Sequence, residues 1–122
     1  MYELVCEAHF ASAHRLREYD GNCERLHGHN WKIEVRLEGE TLNDLGMVCD
    51  FRDAKRIIKQ VTDRLDHRYL NDVPPFDELN PTTEHIARYL YDEVAKLLPA
   101  GVTAASVTAW ESDGSGVTYR GE

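Results

Sequence analysis

The stretch Trp31–Glu38, WKIEVRLE, alternates strictly between apolar and charged residues. Successive side chains of a β-strand point to opposite faces of the sheet, so this stretch predicts a strand with one buried and one solvated face. The strand extends over about residues 28–38. A second alternating stretch at residues 1–10 predicts a partner strand.

Two amphipathic helices are predicted after these strands. Behind Asp50, a candidate N-cap, apolar residues recur at helical spacing as far as Leu65. A loop with two adjacent prolines separates this helix from a second one of about residues 82–98. Two final strands, about 102–111 and 116–121, are predicted to meet at the hairpin turn 112–115.

The predicted order is strand, strand, helix, helix, strand, strand. This order indicates an α+β fold, in which two helices cover one face of an antiparallel sheet. The 122 residues form one predicted domain, residues 1–122. A four-stranded sheet of this size leaves two open edges, which favours oligomerisation by edge pairing.

Composition and charge exclude several classes of protein. Hydrophobic residues make up 42% and charged residues 30%, a globular balance. The net charge of −8 argues against nucleic acid or an anionic membrane as the main partner. The sequence contains no apolar run of transmembrane length and begins with acidic residues rather than a signal-peptide pattern, so we expect a cytoplasmic protein.

Histidines crowd into one short stretch of the chain. His27 and His29 stand two residues apart at the start of a predicted strand, so both imidazoles face the same side of the sheet. His14 comes from a separate segment, within the polar residues 14–26 that we expect to be irregular. Two ligands from a strand and one from elsewhere match the three-histidine set of a catalytic zinc, which keeps a fourth position open.

Cys23 stands four residues before His27 and allows two interpretations. It is either a fourth ligand that closes a structural zinc site or a thiolate base beside the metal. Cys6 and Cys49 lie in apolar contexts and are expected in the core.

Three further acid–base groups are candidates for chemistry. Asp66 and His67 are adjacent after the first helix and suit a proton-transfer pair, although a histidine there also fits the helix dipole. Glu111 ends a strand of small residues and suits the flat donor edge of a ligand, or is a simple strand-end charge. Around the histidines, residues 9–32 hold four basic against three acidic groups, a local net charge of +1 that favours an anionic substrate.

Five motifs occur in fixed order along the chain. They are Phe10–Leu16 (FASAHRL), Cys23–Asn30 (CERLHGHN), Leu65–His67 (LDH), Pro81–Glu84 (PTTE) and Trp110–Asp113 (WESD). Together they resemble the 6-pyruvoyltetrahydropterin synthase family, including the 6-carboxytetrahydropterin synthases of queuosine biosynthesis. The resemblance covers about residues 2–121.

The resemblance implies the tunnelling fold, in which sheets join into a barrel and trimers pair into hexamers with active sites between subunits. It also implies a role for each candidate residue. By resemblance the zinc ligands are His14, His27 and His29, and the catalytic base is Cys23. Asp66 and His67 form a relay that reaches the site from a neighbouring subunit, Glu111 anchors the pterin and joins the relay, and Thr82 and Thr83 line the pterin pocket.

The implied reaction is a zinc-dependent lyase reaction on 7,8-dihydroneopterin triphosphate, giving 6-carboxytetrahydropterin, acetaldehyde and triphosphate. The spacing between Cys23 and His27 resembles that of the queuosine-type enzymes. Residues 98–122 resemble the pyruvoyl enzymes instead, so a 6-pyruvoyltetrahydropterin synthase is the alternative. The candidate cations for the triphosphate are Arg15, Arg17 and Arg25.

The sequence also allows functions other than this lyase reaction. Glu24 occupies the place where folate-pathway relatives carry a catalytic glutamate, which predicts a side activity forming 6-hydroxymethyldihydropterin. A non-catalytic zinc module, closed by Cys23, is the rival from another class. A metal-dependent hydrolase ranks third, since no carboxylate follows His29 before Glu34.

Overall fold

The computed structural model, which describes residues 1–17 and 26–122, has one mixed sheet with two helices packed against it. The sheet order is β3-β1-β2-β4-β5, and helix α1 contacts β1 whereas α2 contacts β4 and β5. The α+β architecture agrees with the prediction. The strands are β1 (Tyr2–His14), β2 (His27–Gly39), β3 (Arg68–Tyr69), β4 (Thr103–Ser112) and β5 (Ser115–Tyr119), and the helices are α1 (Phe51–Thr62) and α2 (Thr83–Leu97).

The alternating stretch in β2 forms the centre of the sheet. Its apolar residues Trp31, Ile33, Val35 and Leu37 are completely buried, and the charged residues between them lie on the face without helices. Burial of this apolar face against the helices is the main force that holds the sheet to them. Cys6 is buried in the same core, as predicted, while Cys49 packs against it only partly buried.

Strand β1 is longer than the sequence indicated. It pairs with β2 in unbroken antiparallel register from Tyr2 opposite Gly39 to His14 opposite His27. His14 therefore belongs to a strand, and its prediction within an irregular segment was wrong. The alternation continues through Ser12 and His14, but the small residues Ala11 and Ala13 between them conceal it.

A fifth strand, β3, adds two residues in parallel to the edge of β1. It pairs only with Ser12 and Ala13, so the outer edge of β1 before Ser12 has no sheet partner among the described residues. A two-residue strand has no periodicity that sequence reasoning could detect. The predicted antiparallel sheet of four strands is otherwise present.

Both helix starts match the sequence, but α1 ends early. Asp50 accepts a hydrogen bond from the Arg52 backbone N–H (2.8 Å), and Thr82 caps α2 by accepting from the His85 N–H (3.1 Å). After Thr62 the chain continues in tight turns, which still bury Leu65. Neither helix has the length and apolar character of a membrane span.

Candidate active site

Four side chains from three strands converge at one end of the sheet. One nitrogen each of His14, His27 and His29 and a carboxylate oxygen of Glu111 all lie within 4.8 Å of one another. The pairing of β1 with β2 explains why the histidines converge. His14 on β1 lies opposite His27 on β2, and the next pair on the same face of the sheet is Ser12 opposite His29. Pairing of β4 with β2 brings Glu111 to the same end.

The orientation of His14 is fixed from outside the cluster. Its ring is 2% exposed, and its Nδ1 lies 2.8 Å from the Pro81 carbonyl oxygen. Since a carbonyl only accepts, Nδ1 carries the proton and Nε2 is left with a lone pair. Burial lowers the pKa of His14 and of His29, although the nearby Glu111 acts in the opposite direction. Both imidazoles are therefore kept neutral, the form that binds metals.

The cluster fits a zinc ion. The Nε2 atoms of both His14 and His29 are buried without a hydrogen-bond partner, although unsatisfied buried polar atoms are costly. Three imidazole nitrogens and one carboxylate are donors that zinc prefers. The three histidines that sequence reasoning selected thus lie together, and in two of them, His14 and His29, the buried Nε2 has no hydrogen-bond partner.

Glu111 lies inside the histidine cluster, which sequence reasoning did not anticipate. Its Oε2 accepts a hydrogen bond from the Thr83 hydroxyl (2.8 Å), at the first residue of α2. Its Oε1 lies 3.1 Å from His29 Nε2 and 4.0 Å from His14 Nε2. The Thr82 hydroxyl therefore caps helix α2, and the Thr83 hydroxyl holds Glu111. Only the pairing of β4 with β2 could have revealed this position.

Asp66 and His67 form a hydrogen-bonded pair at the edge of β1. One carboxylate oxygen of Asp66 accepts from the Ala11 backbone N–H (2.9 Å), and the other lies 3.0 Å from His67 Nδ1. The Ala11 hydrogen bond, followed by that of His67, lowers the pKa of Asp66. His67 has a left-handed backbone (φ 56°) and an 82% exposed side chain, which Asp66 orients.

His67 lines a shallow depression of 530 Å³ on the sheet. The depression also includes Ala11, Ala13 and Gly28, which the strand alternation places on the face opposite the histidine cluster. The nearest atom to a Cβ added at Gly28 would be 3.9 Å away, so the floor of the depression is open. Ser12 and His29, which belong to the face of the histidine cluster, also contribute to its lining, so the depression lies next to the cluster but is lined mainly from the opposite face.

A clamp made by two asparagines holds the residues that follow His14. The side chain of Asn71 accepts from the Arg15 N–H and donates to the Arg15 carbonyl, both at 3.0 Å. Asn80 makes the same pair of bonds with the backbone of Arg17, at 2.8 and 3.0 Å. This clamp fixes the chain on the same loop that carries Pro81, the partner of His14.

The Arg17 guanidinium is also used by this loop. It donates to the carbonyl oxygens of Phe76 (2.7 Å), Asn71 (3.1 Å) and Leu79 (3.2 Å). These bonds explain why Arg17 is a poor candidate for the triphosphate, contrary to the expectation from charge alone. Arg15 is exposed and remains a candidate.

Cys23, Glu24 and Arg25 lie outside the described residues. The proposed catalytic roles of Cys23 and Glu24 therefore rest on sequence.

The fold and cluster define a small α+β protein with a partly buried site suited to zinc, in which an acidic residue accompanies three histidines. The sequence model of one family, described as 6-pyruvoyl tetrahydropterin synthase, matches residues 3–122. The chain belongs to this family, whose members act in pterin metabolism.

Individual relatives carry different names. A 6-pyruvoyl tetrahydrobiopterin synthase of Poecilia reticulata is 38% identical, over 93% of this chain and 86% of its own. A dihydroneopterin monophosphate aldolase of Pyrococcus furiosus is 36% identical over 93% of both chains. A putative 6-carboxy-5,6,7,8-tetrahydropterin synthase of Pyrococcus horikoshii is 31% identical, over 84% of this chain and 79% of its own.

A solved structure agrees with this assignment. The 6-pyruvoyl tetrahydropterin synthase of Caenorhabditis elegans superposes with a TM-score of 0.91 at 30% sequence identity, covering 99% of this chain and 96% of that one. The fold is therefore that of the family.

Proposed function

We propose that this protein is a zinc-dependent 6-carboxy-5,6,7,8-tetrahydropterin synthase. Dihydroneopterin triphosphate and water would give 6-carboxytetrahydropterin, acetaldehyde and triphosphate. The observation that carries the proposal is the convergence of three histidines and Glu111, with two buried Nε2 atoms, of His14 and His29, lacking hydrogen-bond partners. The short spacing between Cys23 and His27 favours the carboxy reaction over the pyruvoyl one.

His14, His27 and His29 would hold the zinc, which as a Lewis acid acidifies the positions next to the side-chain hydroxyls of the substrate. Glu111 has two carboxylate oxygens, and such a pair suits the adjacent N–H donors of a pterin ring. Thr83 keeps this carboxylate in one orientation. The pterin would therefore lie against the end of β4 and the start of α2.

Proton transfer falls to residues around the substrate side chain. The Cys23 thiolate would remove a side-chain proton, and His67, oriented by Asp66, would carry protons to and from the reacting carbons. His67 lines a depression with Ala11, Ala13 and Gly28, whose side-chain positions face away from the histidine cluster of its own chain. This placement supports a relay that serves the site of a neighbouring subunit.

The same placement supports assembly into an oligomer. The outer edge of β1 before Ser12 lacks a partner among the described residues, and β5 forms the other end of the sheet. Edge-to-edge pairing of such sheets closes a barrel without exposing strand edges. We propose a hexamer made of two trimers.

Two related activities are alternatives at the same site. A 6-pyruvoyltetrahydropterin synthase would eliminate triphosphate without breaking a carbon–carbon bond, and the Poecilia and Caenorhabditis relatives favour it. A side activity forming 6-hydroxymethyldihydropterin would use Glu24 beside Cys23, and the aldolase name of the Pyrococcus furiosus relative favours it.

Product identification tests these proposals. The zinc-loaded protein is incubated with dihydroneopterin triphosphate, and the pterins are separated and identified. We expect the carboxy product from the native protein, its loss in Cys23→Ala and loss of any hydroxymethyl product in Glu24→Ala. If no pterin product forms, the enzyme proposal is wrong.

Metal analysis of Cys23→Ala separates a base from a ligand. A catalytic base leaves the zinc content nearly unchanged, whereas a fourth ligand in a non-catalytic zinc module costs both metal and stability.

A further inference from the structure

We propose that Glu111 is a ligand of the metal in the substrate-free protein and leaves it when the pterin binds. This inference rests on the proposed function for the identity of the ligand that replaces Glu111. Glu111 would thus serve the metal as well as the pterin and the relay.

The distances in the cluster fit a shared ion. Two ligands of one tetrahedral zinc, each bound at about 2.0–2.2 Å, are separated by roughly 3.4 Å. Glu111 Oε1 lies 3.1 Å from His29 Nε2 and 4.0 Å from His14 Nε2, values on either side of this separation. The carboxylate oxygen thus has the position expected of a fourth ligand.

The contact with His29 lacks the geometry of a hydrogen bond. His29 Nε2 has no hydrogen-bond partner although Glu111 Oε1 is 3.1 Å away. Two atoms that point at a common ion rather than at each other produce this combination of short distance and poor alignment.

Thr83 provides the means for Glu111 to change partners. Its hydroxyl donates to Oε2, whereas Oε1 is the oxygen near His14 and His29, so Thr83 holds the carboxylate in place without using Oε1. When the N–H donors of a pterin reach the carboxylate, an oxygen of the substrate side chain would take the place of Oε1 on the metal. One metal–oxygen bond breaks and another forms, with no change in oxidation state.

The consequence is a site that stays closed to water and small anions until the pterin arrives. An open three-histidine site binds anions readily at its fourth position, whereas a site closed by a carboxylate does not. Binding of the correct ring would therefore create the open coordination position that the reaction needs.

The test compares metal and anion binding in Glu111→Gln and a matched control. Glu34→Gln is the control, since Glu34 lies on the helix-free face in ion pairs with Lys32 (3.5 Å) and Arg36 (3.7 Å). Zinc affinity is measured by competition with a chromophoric chelator. Thiocyanate binding is measured from the visible spectrum of the Co²⁺-substituted protein.

We expect Glu111→Gln to bind zinc about tenfold or more weakly and thiocyanate about tenfold or more tightly than the native protein. Glu34→Gln should change neither. Unchanged zinc affinity in Glu111→Gln, with circular dichroism confirming its fold, would overturn the proposal. If that variant does not fold, tight thiocyanate binding by the native Co²⁺ protein would overturn it instead, and exclusion of thiocyanate until unsubstituted pterin is added, which has the ring but no side-chain oxygen, would support it.

These results are independent of the proposed function. Product analysis with dihydroneopterin triphosphate tests the reaction, whereas zinc and thiocyanate affinities test the ligand role of Glu111.

Discussion

Replacing Arg17 with methionine should destabilise the fold and leave substrate binding nearly unchanged. The guanidinium donates to three backbone carbonyls of the loop between β3 and α2. Methionine keeps much of the aliphatic volume but leaves these acceptors without their donor.

The magnitude follows from the number and exposure of these bonds. A hydrogen bond to a charged group contributes about 1.5–3 kcal/mol to stability. The bonds to Phe76 and Asn71 are partly buried, while the bond to Leu79 is exposed and adds little. We therefore expect Arg17→Met to lower the free energy of unfolding by about 2–4 kcal/mol, after discounting for solvent exposure.

Urea denaturation of the metal-free protein measures this loss, and steady-state kinetics measure KM for dihydroneopterin triphosphate. Arg15→Met is the matched control, because Arg15 is exposed and its backbone, rather than its side chain, is bound by Asn71. It should cost less than about 0.5 kcal/mol. An Arg17→Met protein of native stability whose KM has risen tenfold would refute this reasoning and indicate that Arg17 binds the triphosphate.

Three further changes test other parts of the account. His14→Ala should reduce the zinc retained after dialysis to less than about a tenth of an ion per chain, since it removes a ligand oriented by Pro81; full retention by metal analysis would exclude His14 as a ligand. Gly28→Leu should leave zinc content and unfolding unchanged but abolish most activity, because the side chain would fill the depression that His67 lines; normal turnover would argue against a functional role for that face. The free energy of unfolding of the metal-free protein, measured in urea, should fall as the pH is lowered from 7.5 to 5.5. Burial lowers the pKa of His14 and His29 in the folded protein, so below about pH 6.5 the unfolded chain takes up protons first and is favoured. An unfolding free energy that does not change with pH would contradict this.

The sequence was sufficient for the elements with strong periodicity. The alternation of Trp31–Glu38 and the capped helical stretches behind Asp50 and Thr82 predicted β2, α1 and α2, because each pattern repeats over several turns or pleats. The pair of histidines in β2 was also predictable as one face of a strand. His14 was selected as their partner although its own strand was not detected.

The features that the sequence did not predict depend on contacts between residues far apart in the chain. The extension of β1 depends on the register that sets His14 opposite His27, and β3 exists only because two residues reach the edge of β1. The place of Glu111 in the cluster depends on the pairing of β4 with β2, and the use of Arg17 depends on a loop more than 50 residues away. Local patterns contain no information about such contacts.

The most direct test of the central claim is the amount of acetaldehyde released per triphosphate by the zinc-loaded protein acting on dihydroneopterin triphosphate. A 6-carboxytetrahydropterin synthase breaks one carbon–carbon bond in each turnover, so we predict one acetaldehyde for each triphosphate. Release of triphosphate without acetaldehyde would contradict the carboxy assignment and identify the pyruvoyl reaction, in which that bond remains intact.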